Sequence, residues 1–470
     1  MNSASHKILH AVLVIIAILS LSACQPVIAA GLHIEAEGGT LAGGVAVSTS
    51  TAGYTGAGYV SGFTGKQSTV TVKFAAKAGL YDLRFRYRSA SGQKGYDASV
   101  NGSGFSGMFA PSISFRASDP TLVTLKSGDN SITIGGGWGW YDIDAVDLSP
   151  AKPIARPRRI TAPPVDSKST PEARKLLSYL ESVYGRSTLS GQQDLPEAQY
   201  VQKVTGTMPA IVVTDLIEYS PSRIKNGSKP AGAVEKAVGL GKSGNIVGLM
   251  WHWNAPMDLT DSKDQPWWKG FYTAATSFRI DYAMAHPDSP GYRALISDMD
   301  TISVQIAKLD KAHIPVLWRP LHEASGGWFW WGAHGPQPFI QLWRLMYHRL
   351  VDVHHLHNLI WVYTDGGDPA WYPGDRYVDI VGTDQYPADR ADLLTGVWRG
   401  LTARFDGKKM LALAEFKTVP EIEKMHSVGV WWDYFVPWVG DLGPKDMAVV
   451  DVARIYKSPG VVTKNRLPRR

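Results

Sequence analysis

Residues 314–323 read IPVLWRPLHE. The stretch from Ile314 to Trp318 is apolar without polar alternation, the pattern of a strand covered on both faces. The next five residues bring in Arg319, His322 and Glu323. A strand that starts apolar and ends in titratable groups fits a parallel barrel, whose strand C-termini line the active-site mouth. The same form recurs at 187–194 (STLSGQQD), 208–215 (MPAIVVTD), 246–254 (IVGLMWHWN), 358–365 (NLIWVYTD), 378–386 (VDIVGTDQY), 410–416 (MLALAEF) and 431–438 (WWDYFVPW). The eight segments end in or near Asp194, Asp215, His252, Glu323, Asp365, Tyr386, Glu415 and Trp438. Helical stretches separate them, so 166–470 is expected to be one (β/α)8 TIM barrel.

Upstream, residues 31–149 are rich in Gly, Ser, Thr and Val. They run in short alternating segments such as Thr69–Phe74 (TVTVKF) and Tyr81–Tyr87 (YDLRFRY). Turn residues punctuate them, which predicts an all-β sandwich. Residues 150–165 (PAKPIARPRRITAPPV) carry Pro and basic residues with no apolar period, the composition of a semi-extended linker. Residues 1–30 place Lys7 before an apolar run, Ile8 to Leu21, of signal-peptide length. Leu21-Ser22-Ala23-Cys24 follows and resembles a bacterial lipobox; cleavage after Ala29-Ala30 is the alternative. Either reading predicts export, secreted or tethered to the cell surface through a lipid on Cys24.

Composition narrows the classes. Hydrophobic residues make up 44% of the 470, which excludes a mainly disordered chain. The single Cys excludes an intramolecular disulfide framework and a multi-Cys metal site. The net charge of +6 could suggest an acidic partner. Yet 150–165 holds four basic residues and 457–470 five, with no acid in either. The excess sits in connectors, and no nucleic-acid partner is expected. The cluster His348, His354, His355 and His357 lacks zinc-ligand spacing and reads as a solvated helix end. Gly135-Gly136-Gly137 neither follows a long parallel strand nor precedes a helix, so it is a turn.

The chemistry is expected at Glu323 and Glu415, on strands four and seven. Each is embedded in an otherwise apolar strand, where a carboxylate needs a partner or a function. From strands four and seven they can converge across the mouth. Carboxyls about 5–5.5 Å apart suit a retaining glycosidase and about 6.5–9.5 Å an inverting one; the sequence leaves both open. Arg319 and His322 are expected near Glu323, whose apolar neighbours would keep it protonated as an acid. Tyr386 could donate to Glu415. Trp251-His252-Trp253 and Gly326-Gly327-Trp328-Phe329-Trp330-Trp331 offer aromatic surface, with the glycines favouring an exposed platform.

WRPLHEASGGWFWWG, MWHWN, VGTDQYP, LALAEF and FVPWVGD, in that order, resemble glycoside hydrolase family 26, best known for endo-β-1,4-mannanases. The likeness covers 166–470. It implies a (β/α)8 barrel with retaining chemistry, Glu323 as acid/base and Glu415 as nucleophile, and no catalytic cofactor. It further implies that His322 and Tyr386 support those carboxyls and that Arg319 orients the acid/base strand. His252 and Trp328 would line the subsite of the sugar under attack, and Trp438 would stack beneath it. The family also holds β-1,3-xylanases and mixed-linkage glucanases, and a non-catalytic polysaccharide-binding lipoprotein is the reading from another class. Segments HIEAE (33–37), YTGAGYV (54–60) and WGWYDIDAVDL (138–148) resemble carbohydrate-binding module family 35, a β-sandwich spanning 31–149. That likeness implies a structural calcium on Glu35, Glu37 and Asp144, and a ligand site at Trp138, Trp140 and Asp142. The expected partner is β-mannan and its oligosaccharides, bound by a monomer.

Overall fold

The computed structural model describes residues 31–468. The expected signal segment, with Cys24, lies outside the described residues. Strand four of the C-terminal unit, Val316–Pro320, is buried at all five positions, because the barrel interior covers one face and helices the other. The remaining seven strands are Thr188–Gln193, Ile211–Asp215, Ile246–Trp251, Leu359–Thr364, Ile380–Gln385, Met410–Phe416 and Tyr434–Pro437. Each lies within a segment expected from sequence. All pair in parallel, and strand one joins both strand two and strand eight, closing the ring. A two-residue strand, Val461–Val462, adds to strand one outside it.

The barrel's apolar core consumes most of the tryptophans. Trp251, Trp253, Trp318, Trp330, Trp331, Trp343, Trp361, Trp398 and Trp432 are fully buried. Trp251 and Trp253 stack at 4.3 Å between centroids. The expected aromatic platforms therefore reduce to their solvent-facing members, above all Trp328, which is 49% exposed. Within Trp328-Phe329-Trp330-Trp331 only the first ring faces water: Phe329 is buried, and a short 3-10 turn, Trp330–Gly332, directs the last two rings inward.

The N-terminal unit is a sandwich of a seven-stranded and a five-stranded sheet. Their long strands, Gly79–Ser89 and Gly128–Gly135, bury alternate residues, as expected where one face packs and the other is wet. The first strand, Leu32–Glu35, pairs antiparallel with the last, Asp142–Pro150.

Residues 151–164 form no helix or strand, but they are not a free spacer. Ile154 N donates to Val428 O at 2.9 Å. The Arg156 guanidinium lies over Trp431, and Arg158 grips Asp406 through its main-chain N and its Nε. Ile160 is buried in the barrel core. Arg156 and Arg158, read from the sequence as part of a semi-extended linker, act here as fasteners.

Candidate active site

Strand four ends at Pro320, three residues before Glu323. The connecting turn takes left-handed φ at Leu321 (51°) and at Glu323 (54°), which costs roughly 1–2 kcal/mol per residue for side-chain-bearing positions. Such strain gathers where a side chain must be aimed. Glu323 is thereby brought over the mouth, where Trp328 Nε1 donates to its Oε2 at 2.9 Å.

Glu415 lies inside strand seven and is almost fully buried. The pairing register between strands six and seven shifts by one residue at Ala414, which sets Glu415 beside Asp384. Such irregularities re-aim side chains near active sites. Four donors surround the pair. Arg319 Nη2 donates to Glu415 Oε1 and its Nη1 to Asp384 Oδ2 at 2.8 Å. Tyr386 Oη donates to Glu415 Oε2 at 2.8 Å. Gln193 Nε2 donates to Glu415 Oε1 at 3.3 Å.

Glu323, Asp384 and Glu415 each offer a carboxylate oxygen within 4.8 Å of the other two. The two catalytic candidates therefore stand at short range, on the retaining side of the two spacings. Burial raises the Glu323 carboxyl above the usual glutamate range, and the negative charge of Glu415 adds to the shift. Burial likewise pushes Asp384 up, opposed by Arg319 and reinforced by Glu415.

Two expectations are sharpened. Arg319 is near enough for its charge to act on Glu323, but its hydrogen bonds go to Glu415 and Asp384, because its side chain turns into the barrel while the strained turn carries Glu323 outward. His322 makes no hydrogen bond to either carboxyl. Its Nε2 meets His252 Nε2 at 3.1 Å, while His252 Nδ1 donates to Asp215 Oδ2 at 2.6 Å. Burial pulls both rings down. For His252 the charge and hydrogen bond of Asp215 more than offset it and the imidazole is raised. For His322 the Arg319 charge adds to burial and the ring stays neutral. The two rings share one hydrogen bond between their Nε2 atoms, and the His322 Nδ1 is buried without a partner.

Asp384, Asp215 and Gln193 were not singled out from the sequence as site residues. Asp215 and Gln193 lie at strand ends, where the fold places functional groups. Asp384 sits in VGTDQYP, two residues before Tyr386, and its burial beside an arginine is the missing signal. Trp438 is half-buried, its ring 6.3 Å from His252, and its carbonyl accepts from Gln192. Tyr272, unpredicted, is exposed and stacks on Phe329 beside Trp328.

Residues 165–466 match the family model for Glycosyl hydrolase family 26. The chain belongs to that family. Residues 32–151 match the model for Carbohydrate binding module (family 35). The chain is similar to a Mannan endo-1,4-beta-mannosidase of Thermothelomyces thermophilus, 42% identical over 416 residues, covering 86% of this chain and 83% of the relative. A second relative, Mannan endo-1,4-beta-mannosidase A of Piromyces sp., is 34% identical across 97% of this chain and 75% of its own. Among solved structures, a Podospora anserina GH26-CBM35 beta-(1,4)-mannanase superposes with a TM-score of 0.67 at 39% identity. It covers 93% of this chain and 98% of that one.

The other candidates lie on the sandwich. Trp138 and Trp140 are 64% and 61% exposed. Their loop is pinned where Trp138 N donates to Gly95 O at 2.8 Å and Trp140 N to Phe63 O at 2.6 Å. Asp142 does not join them as a free acceptor: it is buried, and Arg88 Nη1 donates to its Oδ2 at 2.5 Å. Glu35 and Glu37 converge on Gly56, where a Cβ would collide with both side chains. Glu37 Oε2 is buried with no donor, which suits a cation. Asp144 is already engaged by Arg86 Nε at 2.5 Å and by the Thr55 amide.

Proposed function

We propose that this family 26 chain hydrolyses internal β-1,4-mannosidic linkages of mannan, glucomannan or galactomannan with retention of configuration. The observation that carries the reading is the short-range carboxyl pair with divided environments. Glu323 is held toward its protonated form by burial, and Glu415 is clamped by Arg319, Tyr386 and Gln193. Glu323 protonates the departing glycosidic oxygen as Glu415 attacks the anomeric carbon, and a mannosyl ester forms. Glu323, now ionised, takes a proton from water, which displaces Glu415 from the sugar. The carboxyls suffice for both steps. Mannan as substrate is supported by the names of the relatives. Proton NMR of products released early from manno-oligosaccharides tests the stereochemistry: β-anomers are expected, and α-anomers would overturn Glu415 as nucleophile. A panel of glucomannan, galactomannan, β-1,3-xylan and mixed-linkage glucan tests the substrate. Preference for either of the last two would replace mannan, and no hydrolysis of any would favour a binding-only protein.

The sandwich is read as the polysaccharide-gripping module, with Trp138 and Trp140 stacking on mannan sugars. Its calcium would be held by Glu35, Glu37 and Asp144, and carboxylate oxygens suit that ion. Because Arg86 already neutralises Asp144, the two glutamates supply most of the charge. Loss of melting temperature on chelation, restored by calcium, checks this. Export, with or without a lipid on Cys24, is tested by cell fractionation of wild type and Cys24→Ser, and a monomer by light scattering.

A further inference from the structure

Tyr386 opens a loop, 386–394, between strand six and the helix Thr395–Phe405. Partners on the sandwich hold this loop. Gly104 N donates to Asp389 Oδ2 at 2.8 Å, and Ser106 N to Asp392 Oδ2 at 3.2 Å. The free oxygens of the same two acids accept from within the loop: Asp389 Oδ1 from Ala391 N, and Asp392 Oδ1 from Leu394 N, each at 2.8 Å. Each aspartate thus ties the loop's own turn to a strand of the other domain.

The seam continues along the helix. Leu122 N donates to Thr395 Oγ1 at 3.0 Å, and Arg399 bridges to Asp82 and to the Pro120 carbonyl. Leu122 is itself buried in the barrel's apolar core. A small cavity between the domains is lined by Phe105, Ser106 and Thr121 on one side and by Tyr386 and Asp392 on the other. Leu394, at the end of the loop, holds a left-handed φ of 52°, which the surrounding contacts must maintain.

We propose that the sandwich is a positioning element of the catalytic site: through the Gly104, Ser106 and Leu122 amides it fixes segment 386–395 and so holds the Tyr386 hydroxyl on Glu415. This rests on Glu415 being the nucleophile. The sandwich then has two separable duties. One is gripping polymer at its exposed tryptophans; the other is bracing a hydrogen bond in the neighbouring domain. Gly104, Ser106 and Asp389 touch no reacting atom and act through Tyr386.

Gly104 supplies a selective wedge. A Cβ there would stand 2.8 Å from Asp389 Cβ, so Gly104→Val pushes the loop from the module side. The experiment measures kcat and KM on mannotetraose, too short to engage the module and cleft together. In full-length Gly104→Val and Asp389→Ala, kcat is expected to fall about five- to twenty-fold with KM changed less than about two-fold. Asp389→Asn keeps an acceptor oxygen for one of the two amides and is expected to restore part of the rate. In a Tyr386→Phe background, Gly104→Val is expected to add little, since the hydroxyl it displaces is gone. Thermal unfolding accompanies each variant; if Gly104→Val does not fold, the Asp389→Ala and Asp389→Asn pair carries the test. Wild-type kcat in the wedge variant, or a full loss persisting in the Tyr386→Phe background, overturns the proposal. A wild type that cleaves no manno-oligosaccharide overturns the reading of the site itself.

Discussion

At the barrel mouth Arg319 takes one oxygen of Glu415 and leaves the other to Tyr386, on the open side of the cleft. At the rim of the sandwich Arg88 takes Asp142, and that acid stays buried beneath an exposed tryptophan loop. The tryptophans divide the opposite way. Nine are fully buried in the barrel, whereas both of the sandwich face water. The same residue types thus carry chemistry in one region and architecture in the other. Both acids are buried and arginine-bound, and what sets Glu415 apart is a second carboxyl, Glu323, within reach of it; a tryptophan becomes a ligand surface when a pinned loop keeps it from the core.

The sharpest way to break this contrast is to remove the reactive acid. Glu415→Ala is expected to lower kcat on mannan on the order of 10⁴-fold or more with the fold intact, checked by steady-state kinetics and circular dichroism. Near-normal turnover would return Glu415 to the structural class of Asp142. Glu323→Gln is expected to cost about 10²–10⁴-fold and to reshape the pH profile. Glu323 must be protonated for the first step, and burial with the Glu415 charge raises it. Wild-type activity should therefore fall as pH climbs through that raised value, above the ordinary glutamate range. The variant's profile should lack that alkaline limb; an unchanged limb would assign it to another group.

The third test addresses the sandwich. Trp138→Ala with Trp140→Ala is expected to weaken retention on insoluble mannan about ten-fold or more, since a stacked aromatic is worth roughly 0.5–1.5 kcal/mol beyond its area. Turnover of mannotetraose should stay within about two-fold. A matched loss of kcat there would mean these rings belong to the catalytic cleft.

The smallest effect concerns an interior tryptophan. Trp253 Nε1 donates to Asp298 Oδ2 at 2.7 Å, and burial pushes that carboxyl up to about 7. A group raised on folding contributes stability below its unfolded value near 3.9, and that contribution is lost as pH rises toward 7. Asp298→Asn keeps an acceptor for the indole and removes the ionisation. Its melting temperature relative to wild type should rise by a few degrees between pH 5 and pH 8. A difference independent of pH would show that Asp298 is ionised in the fold.

The barrel was legible because strands covered on both faces leave uninterrupted apolar runs, each ending in a polar group. IPVLWRPLHE and MLALAEF placed Glu323 and Glu415 at the ends of strands four and seven without any distance being known. Tyr386 was legible for the same reason. The partners of those groups were not. Arg319 precedes Glu323 by four residues yet serves Glu415 and Asp384, since alternation on a strand and a left-handed turn send neighbours in sequence to different places. His322 likewise faces His252 rather than the carboxyl next to it. Asp142 looked like a ligand acceptor beside Trp140, because nothing local announces that Arg88 lies across the sheet. Local pattern, set by backbone period and solvent, is written in the sequence and determined the two domains and the candidate carboxyl pair. Which cation faces which acid, which tryptophan reaches water, and how the sandwich leans on the loop of Tyr386 depend on residues tens to hundreds of positions apart. Only close packing of the folded chain decides them.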